Sequence, residues 1–470
     1  MSAPSTQVCV VGAGLAGLVA ALRVAQEGIA VAVLEQGLGP DYLCNTRLTG
    51  GVFHVCVRDP LSAPEELTAA IMRSTEGAAH AGLAAAVATD TRRAVRWLQA
   101  NGVRFIRGAE PHHTFVLAPP ALQRMGLEWK GRGGDVMCRT LASALLKAGG
   151  RILHGHRANG IVVEDGRCIG VEGQNEQGSF QIKADAVVIA DGGFQGNLDE
   201  LQQHISPRPQ ALLQRNGGAS RGDGLRMARA AGARLTDLGG FYGHIQHGDA
   251  VHNAKLWPYP WLDDIVTAAM LVDEHGRRFV DEGRGGVYCA NSIAALENPA
   301  GAHVVFDQAV WDQAGKARFV PPNPHLEKAG GKLIQGGTIE EMAHKLALPP
   351  ETLRRTLEDY NGALDSGVSL VPTRSAAASK PRPLRAPFYA APVVAGITNT
   401  MGGIAIDEWS RAMDGNGEPF AGLYAAGGSS GGLEGGASVG YVGGLAKAAT
   451  TGLRAAEHIV GLIKANARPP

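Results

Sequence analysis

Two short apolar runs frame a longer amphipathic stretch at the start of the chain. Residues 8–11 read V-C-V-V, which is typical of a short buried strand. Apolar residues then recur at helical spacing up to Gly28, and a second apolar run over 30–34 ends at Glu35. The order of strand, helix and strand predicts a βαβ unit.

The same two patterns return later in the chain. Residues 185–197 read D-A-V-V-I-A-D-G-G-F-Q-G-N, which predicts a buried strand that enters a glycine turn. Residues 222–233 read G-D-G-L-R-M-A-R-A-A-G-A, which predicts a helix that stops at Gly232. Another helix is expected in E-E-M-A-H-K-L-A-L (340–348), whereas 375–387 has the composition of a loop.

Length and composition describe a globular protein with an unusual glycine content. A chain of 470 residues suggests two or three domains, and 45% apolar residues suffice for a sizeable core. The 65 glycines are roughly twice the usual share of about 7%. They cluster in V-G-A-G-L-A-G, A-D-G-G-F, T-M-G-G and A-G-G-S-S-G-G-L-E-G-G, which indicates a backbone lying close to a large ligand.

Charge and cysteine usage argue against several classes of protein. The 44 basic and 44 acidic residues balance, which favours neither nucleic acid nor membrane insertion or binding. The six cysteines include no C-x-x-C pair, so we expect neither a zinc site nor a disulfide framework, and no metal. With no evident signal peptide or long apolar run, the expectation is a soluble, cytoplasmic protein.

A glycine motif joins the first strand to its helix. Gly12, Gly14 and Gly17 form G-x-G-x-x-G, the spacing that lets a backbone turn tightly and approach a pyrophosphate. The helix N-terminus would face the phosphates, and Glu35, 18 positions after Gly17, would bind a ribose hydroxyl. An acid at this place disfavours NADP, whereas the motif alone leaves FAD and NAD open.

Further motifs occur in a defined order along the chain. They are N-T-R-L-T-G-G from 45, A-D-G-G-F from 190, G-D-G-L from 222, G-R-R-F-V-D-E-G from 276, T-M-G-G from 400 and G-L-Y-A-A-G-G from 422. In this order and at these distances the set resembles the fumarate reductase/succinate dehydrogenase flavoprotein superfamily, which also contains 3-ketosteroid dehydrogenases, urocanate reductase and tricarballylate dehydrogenase. The resemblance covers nearly the whole chain.

The resemblance implies an α/β fold and FAD as the cofactor. A Rossmann-like FAD-binding domain would be built from two chain segments, 1–236 and 373–470, with an inserted α+β capping domain at 237–372. The substrate is expected between cap and flavin. The residues expected to bind FAD are Gly12, Gly14, Leu15, Ala16, Gly17, Glu35, Gln36, Asn45, Thr46, Arg47, Leu48, Gly50, Gly51, Ala158, Ala190, Asp191, Gly192, Asn197, Asp223, Gly402, Gly427, Gly428, Ser438, Val439, Tyr441 and Val442.

The attachment of the flavin is expected to differ from that in one branch of the superfamily. Succinate dehydrogenases bind their flavin covalently through a histidine in H-T-x-A-A-x-G-G. The matching position here is Asn45, so the resemblance predicts non-covalent FAD.

The residues that would hold a substrate depart from the family pattern. Fumarate reductases hold a dicarboxylate with two histidines and two arginines. His244 matches one histidine, but Asn399 stands at the other, and Gly286 and Ser438 stand at the arginine positions. Because an arginine fork suits a carboxylate, losing both argues against a small dicarboxylate. A ketone, lactone, amide or monocarboxylate suits this mostly uncharged set better.

Other polar side chains stand near these positions. Arg284 and Tyr288 are two residues either side of Gly286, and Tyr441 lies three residues beyond Ser438. Steroid dehydrogenases of the superfamily use tyrosines where the reductases use arginines. The candidates are, for catalysis, Tyr288, Arg284, His244 and Tyr441, and, for substrate binding, Asn399, Ser438, Tyr242, Glu434 and His54.

Several candidates also have a plain structural interpretation. His244 could be a satisfied core histidine, Arg284 a loop residue and Tyr288 a packing residue. Glu434, in G-G-L-E-G-G, could be a base, an anchor for a positive or hydroxylated group, or part of a solvated turn. The aromatic W-P-Y-P-W at 257–261 is more typical of packing than of a substrate clamp.

The sequence therefore favours an FAD-dependent dehydrogenase that desaturates a Cα–Cβ bond next to a carbonyl, by hydride transfer to flavin N5. The substrate would be a ketone or monocarboxylate, cyclic ones included. His244, Asn399 and Tyr441 would orient the carbonyl, and Tyr288 or Arg284 would handle the proton.

Two alternatives stay open: a reductase of an α,β-unsaturated acid, similar to fumarate or urocanate reductases, and an electron-transfer subunit of a larger complex. The expected partners are a small-molecule substrate and an electron acceptor of unspecified identity. The oligomeric state is left open.

Overall fold

The computed structural model describes residues 5–121, 128–318 and 320–466. The chain forms two compact units, each built from separate stretches of sequence. The first unit contains Met1–Asn197, Asn216–Gly240 and Asn399–Pro470, and the second contains Leu198–Arg215 and Phe241–Thr398.

The described residues alternate between strands and helices along most of the chain. The strands are β1 (Val8–Val11), β2 (Val31–Glu35), β3 (Val52–Phe53), β4 (Phe105–Ile106), β5 (Phe115–Leu117), β6 (Arg151–His154), β7 (Arg157–Glu164), β8 (Arg167–Asn175), β9 (Gly178–Lys183), β10 (Ala186–Ile189), β11 (Leu213–Gln214), β12 (Phe241–His247), β13 (Met270–Val272), β14 (His303–Asp307), β15 (Ile334–Gly336), β16 (Phe388–Thr400), β17 (Ile404–Ala405), β18 (Arg411–Met413), β19 (Pro419–Ala425) and β20 (Ser430–Gly431).

The helices include both short turns and long packed segments. They are α1 (Leu15–Ala25), α2 (Asn45–Leu48), α3 (Pro64–Ser74), α4 (Ala81–Ala100), α5 (Gly133–Lys147), α6 (Leu198–His204), α7 (Asp223–Ala230), α8 (Asp263–Thr267), α9 (Gly286–Ala294), α10 (Gln308–Asp312), α11 (Pro322–Lys328), α12 (Ile339–Leu346), α13 (Pro350–Ser366) and α14 (Gly444–Asn466).

A mostly parallel sheet forms the centre of the first unit. Its order is β18-β19-β10-β1-β2-β6, with β18 antiparallel to β19 and the other neighbours parallel. Every residue of β1, β2 and β10 is buried, as is typical of parallel strands covered on both faces. The predicted βαβ unit is present, with α1 buried at every residue except Arg23. The hydrophobic core around this βαβ unit also contains residues of α4, α5 and α14.

Strand β16 organises the sheet of the second unit. It pairs antiparallel with β14 and β15 and parallel with β11, and β12 and β13 complete the sheet through β16 and β14 respectively. The long strand is buried over most of its length, including Ala390, Ala391, Val393 and Val394. An antiparallel core of this kind is typical of an α+β unit.

The second unit is larger than the insertion predicted over 237–372. Ala390 in β16 lies opposite Val305 in β14, so the chain up to Thr398 belongs to this unit and not to the predicted segment 373–470. Residues of 198–215, predicted within 1–236, also belong to it because β11 pairs with β16. The composition of 375–387 predicted a loop near the end of the inserted domain, but the boundary between the units lies after Thr398.

No helix within the described ranges combines the length and apolar character that a bilayer crossing requires. In that same part of the chain, no group of three or more His, Cys, Asp or Glu side chains is placed to hold a metal ion. All six cysteines are free thiols.

Candidate functional site

The glycine motif builds the turn between β1 and α1. Gly12 has φ +100°, and a Cβ there would lie 2.6 Å from the Ala190 carbonyl oxygen. A side chain at Gly17 would collide with the Gly12 carbonyl, so helix and strand pack in direct contact. Around Gly14, the nearest atom to an added Cβ is Thr46 Oγ1 at 3.6 Å. The turn is therefore crowded toward the sheet and approachable at Gly14.

Helix α1 begins at this turn with Gly14 as its N-cap and no side-chain capping bond. The Leu15 N–H donates to Thr46 Oγ1 at 3.1 Å, and the Ala13 N–H donates to Glu35 Oε2 at 3.1 Å. Because Gly14 has no side chain to cap the helix, the partial positive charge of the helix N-terminus and the N–H groups after Leu15 can face an anion. This arrangement fits the pyrophosphate of a dinucleotide.

Glu35 ends β2 with a buried carboxylate. Gly37 N–H donates to its Oε1 at 2.8 Å, in addition to the bond from Ala13. Burial raises the pKa of Glu35, while these backbone hydrogen bonds and Arg47 act in the opposite direction. Each carboxylate oxygen can accept a further bond, so a ribose hydroxyl fits this group. Beside it, Gln36 Nε2 donates to the Ala219 carbonyl at 2.8 Å.

The segment after residue 44 is held from several sides. Asn45 Oδ1 accepts from Gly217 N–H at 3.1 Å. Arg47 is only 1% exposed, forms an ion pair with Asp135 and donates to the Pro40 carbonyl at 2.8 Å. The guanidinium of Arg47 is therefore committed to the protein interior, which leaves its backbone for the predicted cofactor contact.

Asp191 links the glycine turn after β10 to two other segments. Its carboxylate accepts from Gly224 N–H at 2.7 Å and from Ser429 Oγ at 3.0 Å. Ser429 Oγ in turn accepts from Gly192 N–H at 2.9 Å. Burial raises the pKa of Asp191 to about 6. The network fixes the turns at 191–192 and 427–429 against one another.

The other residues predicted to bind the cofactor also lie in the first unit. Ala158 is buried on β7, and Asp223 at the start of α7 accepts bonds of 2.7 and 2.9 Å from Arg157. Asn197 Nδ2 donates to the Arg221 carbonyl at 3.2 Å. The same unit contains Leu15, Ala16, Leu48, Gly50, Gly51, Ala190, Gly402, Gly427, Gly428, Val439 and Val442.

The T-M-G-G segment joins neighbouring turns of the first unit. Gly402 has φ +77°, and a Cβ there would collide with the Asp237 carbonyl. Thr400 Oγ1 accepts from Phe194 N–H at 3.1 Å. Asn399 precedes it, and its Nδ2 donates to the Thr400 carbonyl at 3.4 Å. The segment thus has a structural role that does not depend on the residue at 399.

Glu434 ties the C-terminal glycine turn to α14. Its Oε2 lies 3.1 Å from Lys447 Nζ, and the two side chains are only 2% and 3% exposed. Its Oε1 accepts from Val442 N–H at 3.0 Å, and Lys447 also donates to the Ser430 carbonyl at 2.8 Å. The interpretation of Glu434 as part of a solvated turn is wrong, because its carboxylate anchors a positive group of the chain itself.

Three further candidates surround this turn. The Tyr441 hydroxyl accepts from Gly444 N–H at 2.7 Å, and its ring meets His54 edge to face with centroids 5.7 Å apart. The Ser438 hydroxyl donates to the Ser74 carbonyl at 2.7 Å. Burial lowers the pKa of His54 to about 4, so this ring is neutral at neutral pH.

Tyr242, His244 and Asp263 form a hydrogen-bonded series in the second unit. Tyr242 and His244 share one face of β12 because residues two apart in a strand point the same way. The Tyr242 hydroxyl lies 3.0 Å from His244 Nε2, and His244 Nδ1 lies 2.5 Å from Asp263 Oδ2. Because a carboxylate accepts only, the ring proton sits on Nδ1, and Nε2 accepts from Tyr242.

Burial sets the protonation state of this series. Burial lowers the pKa of His244, although Asp263 acts in the opposite direction. Burial also raises the pKa of Tyr242 to about 12, with Arg215 opposing it. At neutral pH a protonated tyrosine therefore faces a neutral imidazole. Burial disfavours charge on Asp263 as well, but His244 and the Ile245 N–H bring the pKa of Asp263 below its usual value.

Trp261 and Arg215 also belong to this cluster. The Trp261 ring stacks on His244, with centroids 3.6 Å apart and planes 11° apart. Arg215 follows β11, and its Cζ lies 5.4 Å from the Trp261 ring and 5.8 Å from the Trp257 ring. The W-P-Y-P-W stretch thus contacts a candidate site residue. No motif marks Arg215 or Asp263 in the sequence.

The packing around Gly286 leaves no room for a side chain. A Cβ at this position would lie 2.6 Å from Asp263 Cβ and 2.8 Å from its Oδ1. Asp263 therefore occupies the space that the first atoms of a longer side chain would need. Arg284 and Tyr288 contact each other, with the guanidinium carbon 4.4 Å from the ring centroid.

Comparison with known proteins agrees with the dinucleotide site of the first unit. The family described as FAD binding domain matches residues 7–440, so the chain belongs to this family and, with it, to the fumarate reductase/succinate dehydrogenase flavoprotein superfamily. The predicted family, fold class and FAD cofactor are confirmed. The homologues in this family are FAD-dependent dehydrogenases or reductases of CH–CH groups, which is the enzyme class predicted from the sequence.

Individual relatives are distant. The chain is 28% identical over 351 residues to the NADH:acrylate oxidoreductase of Vibrio harveyi. This alignment covers 74% of this chain and 34% of that protein. The chain is 27% identical over 452 residues to a probable fumarate reductase of Shewanella frigidimarina, and this alignment covers 92% of this chain and 71% of that protein. The chain thus spans about a third of the length of the first of these relatives.

A solved structure supports the fold. The 3-ketosteroid-Δ4-(5α)-dehydrogenase from Rhodococcus jostii RHA1, crystallised with 4-androstene-3,17-dione, aligns over 97% of both chains with a TM-score of 0.71. Sequence identity in this alignment is 22%.

Proposed function

We propose that the protein uses FAD to desaturate a Cα–Cβ bond next to a carbonyl group, or runs the same reaction in reverse. FAD held at the turn around Gly14 and at Glu35 would supply the hydride acceptor for desaturation and the hydride donor for the reverse reaction. The observation that carries this proposal is the series Tyr242–His244–Asp263, because it can take up the proton that leaves Cα.

The protein groups would act in a defined order. During desaturation, the Tyr242 oxygen takes the Cα proton while its own proton passes to His244 Nε2. Asp263 accepts the hydrogen bond from Nδ1 and stabilises the imidazolium that results. The substrate loses two electrons as hydride together with one proton, and His244 later releases that proton to water. The reverse reaction starts from the protonated imidazole.

This series changes the roles expected from the sequence. Tyr288 and Arg284 were the predicted proton carriers, and that role stays a prediction for them. We prefer Tyr242 because its hydroxyl is hydrogen-bonded to His244, whereas Arg284 lies over the Tyr288 ring. The roles predicted for Asn399 and Tyr441 in orienting the carbonyl are kept as part of the proposal.

Net reduction of an α,β-unsaturated compound is the second candidate. It is supported by the names of the two relatives, an NADH:acrylate oxidoreductase and a probable fumarate reductase. The neutral state of His244 favours proton abstraction, so we expect higher pH to speed desaturation and lower pH to speed reduction.

Replacement of Tyr242 by Phe tests the proposal. The variant should keep its FAD but lose about 10²- to 10⁴-fold in the rate of flavin reduction by a saturated substrate, since a positioned acid or base contributes that much. Anaerobic stopped-flow absorbance measures this rate. Tyr360→Phe, which removes a hydroxyl from a fully buried tyrosine on α13, is the matched control. Full activity in Tyr242→Phe would remove the proposed role.

A further inference from the structure

The positive charge of Arg215 is only partly neutralised by neighbouring groups of the chain. Its Nη1 donates to Thr398 Oγ1 at 3.2 Å, whereas its buried Nε has no hydrogen-bond partner. Within residues 5–121, 128–318 and 320–466, no carboxylate oxygen lies within ion-pair distance of this guanidinium. Burial lowers the pKa of Arg215, which reflects the cost of holding its charge in this place.

Four other arginines whose side chains are mostly buried have carboxylate partners. Arg47 pairs with Asp135, and Arg278 lies 2.6 Å from Glu282. Arg374 and Arg454 also have carboxylate partners, Glu282 and Asp90 respectively. Charges taken out of water are normally paired, because the loss of hydration is otherwise uncompensated. Arg47 and Arg374 also have a buried Nε without a hydrogen-bond partner, so what sets Arg215 apart from these four is the missing carboxylate. That difference points to a negative group that the chain itself does not supply.

The surroundings of Arg215 hold it in a fixed position. A Cβ at Gly396 would lie 2.5 Å from Arg215 Cδ, so the side chain runs directly across this bare point of β16. The Trp257 and Trp261 rings lie near the guanidinium. The indole N–H of Trp257 donates to the Gln214 carbonyl and that of Trp261 donates to the Pro258 carbonyl, so both rings are held in place. A guanidinium held in this way can bind a planar anion without being reordered first.

The nearest acid of the cluster is already engaged. Asp263 interacts with Arg215 at longer range, but its two oxygens accept from His244 Nδ1 and Ile245 N–H. Arg215 therefore faces the same cluster as the proton-transfer series while its remaining donors are not taken by that carboxylate.

We propose that Arg215 binds the carboxylate of the substrate, which makes the substrate a monocarboxylic acid and not a ketone. This inference rests on the proposed function, since it identifies the carbonyl next to the Cα–Cβ bond as part of a carboxylate. The fork of the guanidinium matches two carboxylate oxygens, and its charge stabilises the negative charge that grows on them when the Cα proton leaves. It would replace, from another place in the chain, the arginines absent at Gly286 and Ser438.

Binding of matched acids and ketones tests this inference without relying on turnover. The probes are propionate, crotonate and 3-phenylpropionate, each compared with the methyl ketone of the same skeleton. Quenching of tryptophan fluorescence reports binding because Trp257 and Trp261 flank Arg215. In the FAD-loaded protein, Arg215→Gln should weaken binding of the acids about 10- to 100-fold and leave the ketones unchanged. Arg215→Lys keeps the charge but loses the planar fork, so its affinity for the acids should lie between those of the wild type and of Arg215→Gln.

The controls and the outcomes separate the two proposals. Arg355→Gln removes an exposed arginine of α13 in the same unit and should change nothing. The Arg215 site would be overturned if the acids failed to bind the wild-type protein, or if Arg215→Gln lost the same affinity for acids and for ketones. Either result would leave the proposed reaction intact. Selective loss of acid binding supports the site, even if no acid exchanges electrons with the flavin and the proposed reaction fails.

Discussion

Asn45 lies in the first turn of α2, where its Oδ1 accepts a hydrogen bond from Gly217 N–H at 3.1 Å. An amide lacks the imidazole nitrogen through which succinate dehydrogenases attach their flavin. We therefore expect FAD to be released completely when the protein is precipitated with acid. Absorbance of the supernatant should account for all FAD present before precipitation. Yellow colour retained by the washed precipitate would contradict non-covalent binding.

At the scale of single residues, the sequence was informative where a role depends on local spacing. Gly12, Gly17 and Glu35 serve one βαβ unit, and their positions follow from its strand–helix–strand order. Arg215 and Asp263 could not be predicted in this way. Their surroundings arise from pairing between β11 and β16 and from the packing of α8 near β12, which join segments distant in sequence.

At the scale of elements, the start of α9 depends on the absence of a side chain at Gly286. Gly286→Ala places a Cβ against Asp263, so we expect a loss of about 1–3 kcal/mol in the free energy of unfolding. Chemical denaturation measures this change. In the same unit, Gly362→Ala on the exposed face of α13 is the control; no atom lies within 4 Å of its added Cβ. It should stabilise the helix by about 1 kcal/mol. Equal effects would show that Asp263 does not restrict position 286.

The buried pair between Glu434 and Lys447 gives a second prediction for an element, the turn before α14. Glu434→Gln leaves the Lys447 charge without its partner, so we expect a loss of about 3–5 kcal/mol in the free energy of unfolding. Thermal and chemical denaturation measure it. The double variant Glu434→Gln/Lys447→Met should lose less than the sum of the single variants. A stable Glu434→Gln protein with reduced turnover would instead favour the alternative of Glu434 as a base.

Elements defined by their own sequence were predicted more reliably than the limits between units. The strand over 8–11 and the helix before Gly232 are present as β1 and α7. The predicted limit at 373 differs from the structure because β16 continues the sheet of the second unit to Thr398. A strand's partner is a property of the folded chain, so the composition of the preceding loop did not reveal it.

At the scale of the whole molecule, the cofactor and the reaction are supported by different parts of the chain. The first unit contains the glycine turn, the N-terminus of α1 and Glu35, which fit FAD. The second contains the series Tyr242–His244–Asp263 and the guanidinium of Arg215. The motifs spread along the chain predicted the family, whereas Arg215, the side chain that we propose binds the substrate, lies outside those motifs.

The most direct test of the account is an anaerobic titration of the FAD-loaded protein, followed at the visible absorbance band of the flavin. Saturated monocarboxylates and ketones, cyclic ones included, and dicarboxylates are added separately to the oxidised protein. Their α,β-unsaturated counterparts are added to protein reduced with dithionite. We predict bleaching or reoxidation by monocarboxylates and no response to dicarboxylates. A response to dicarboxylates alone, or to none of these compounds in either direction, would contradict it.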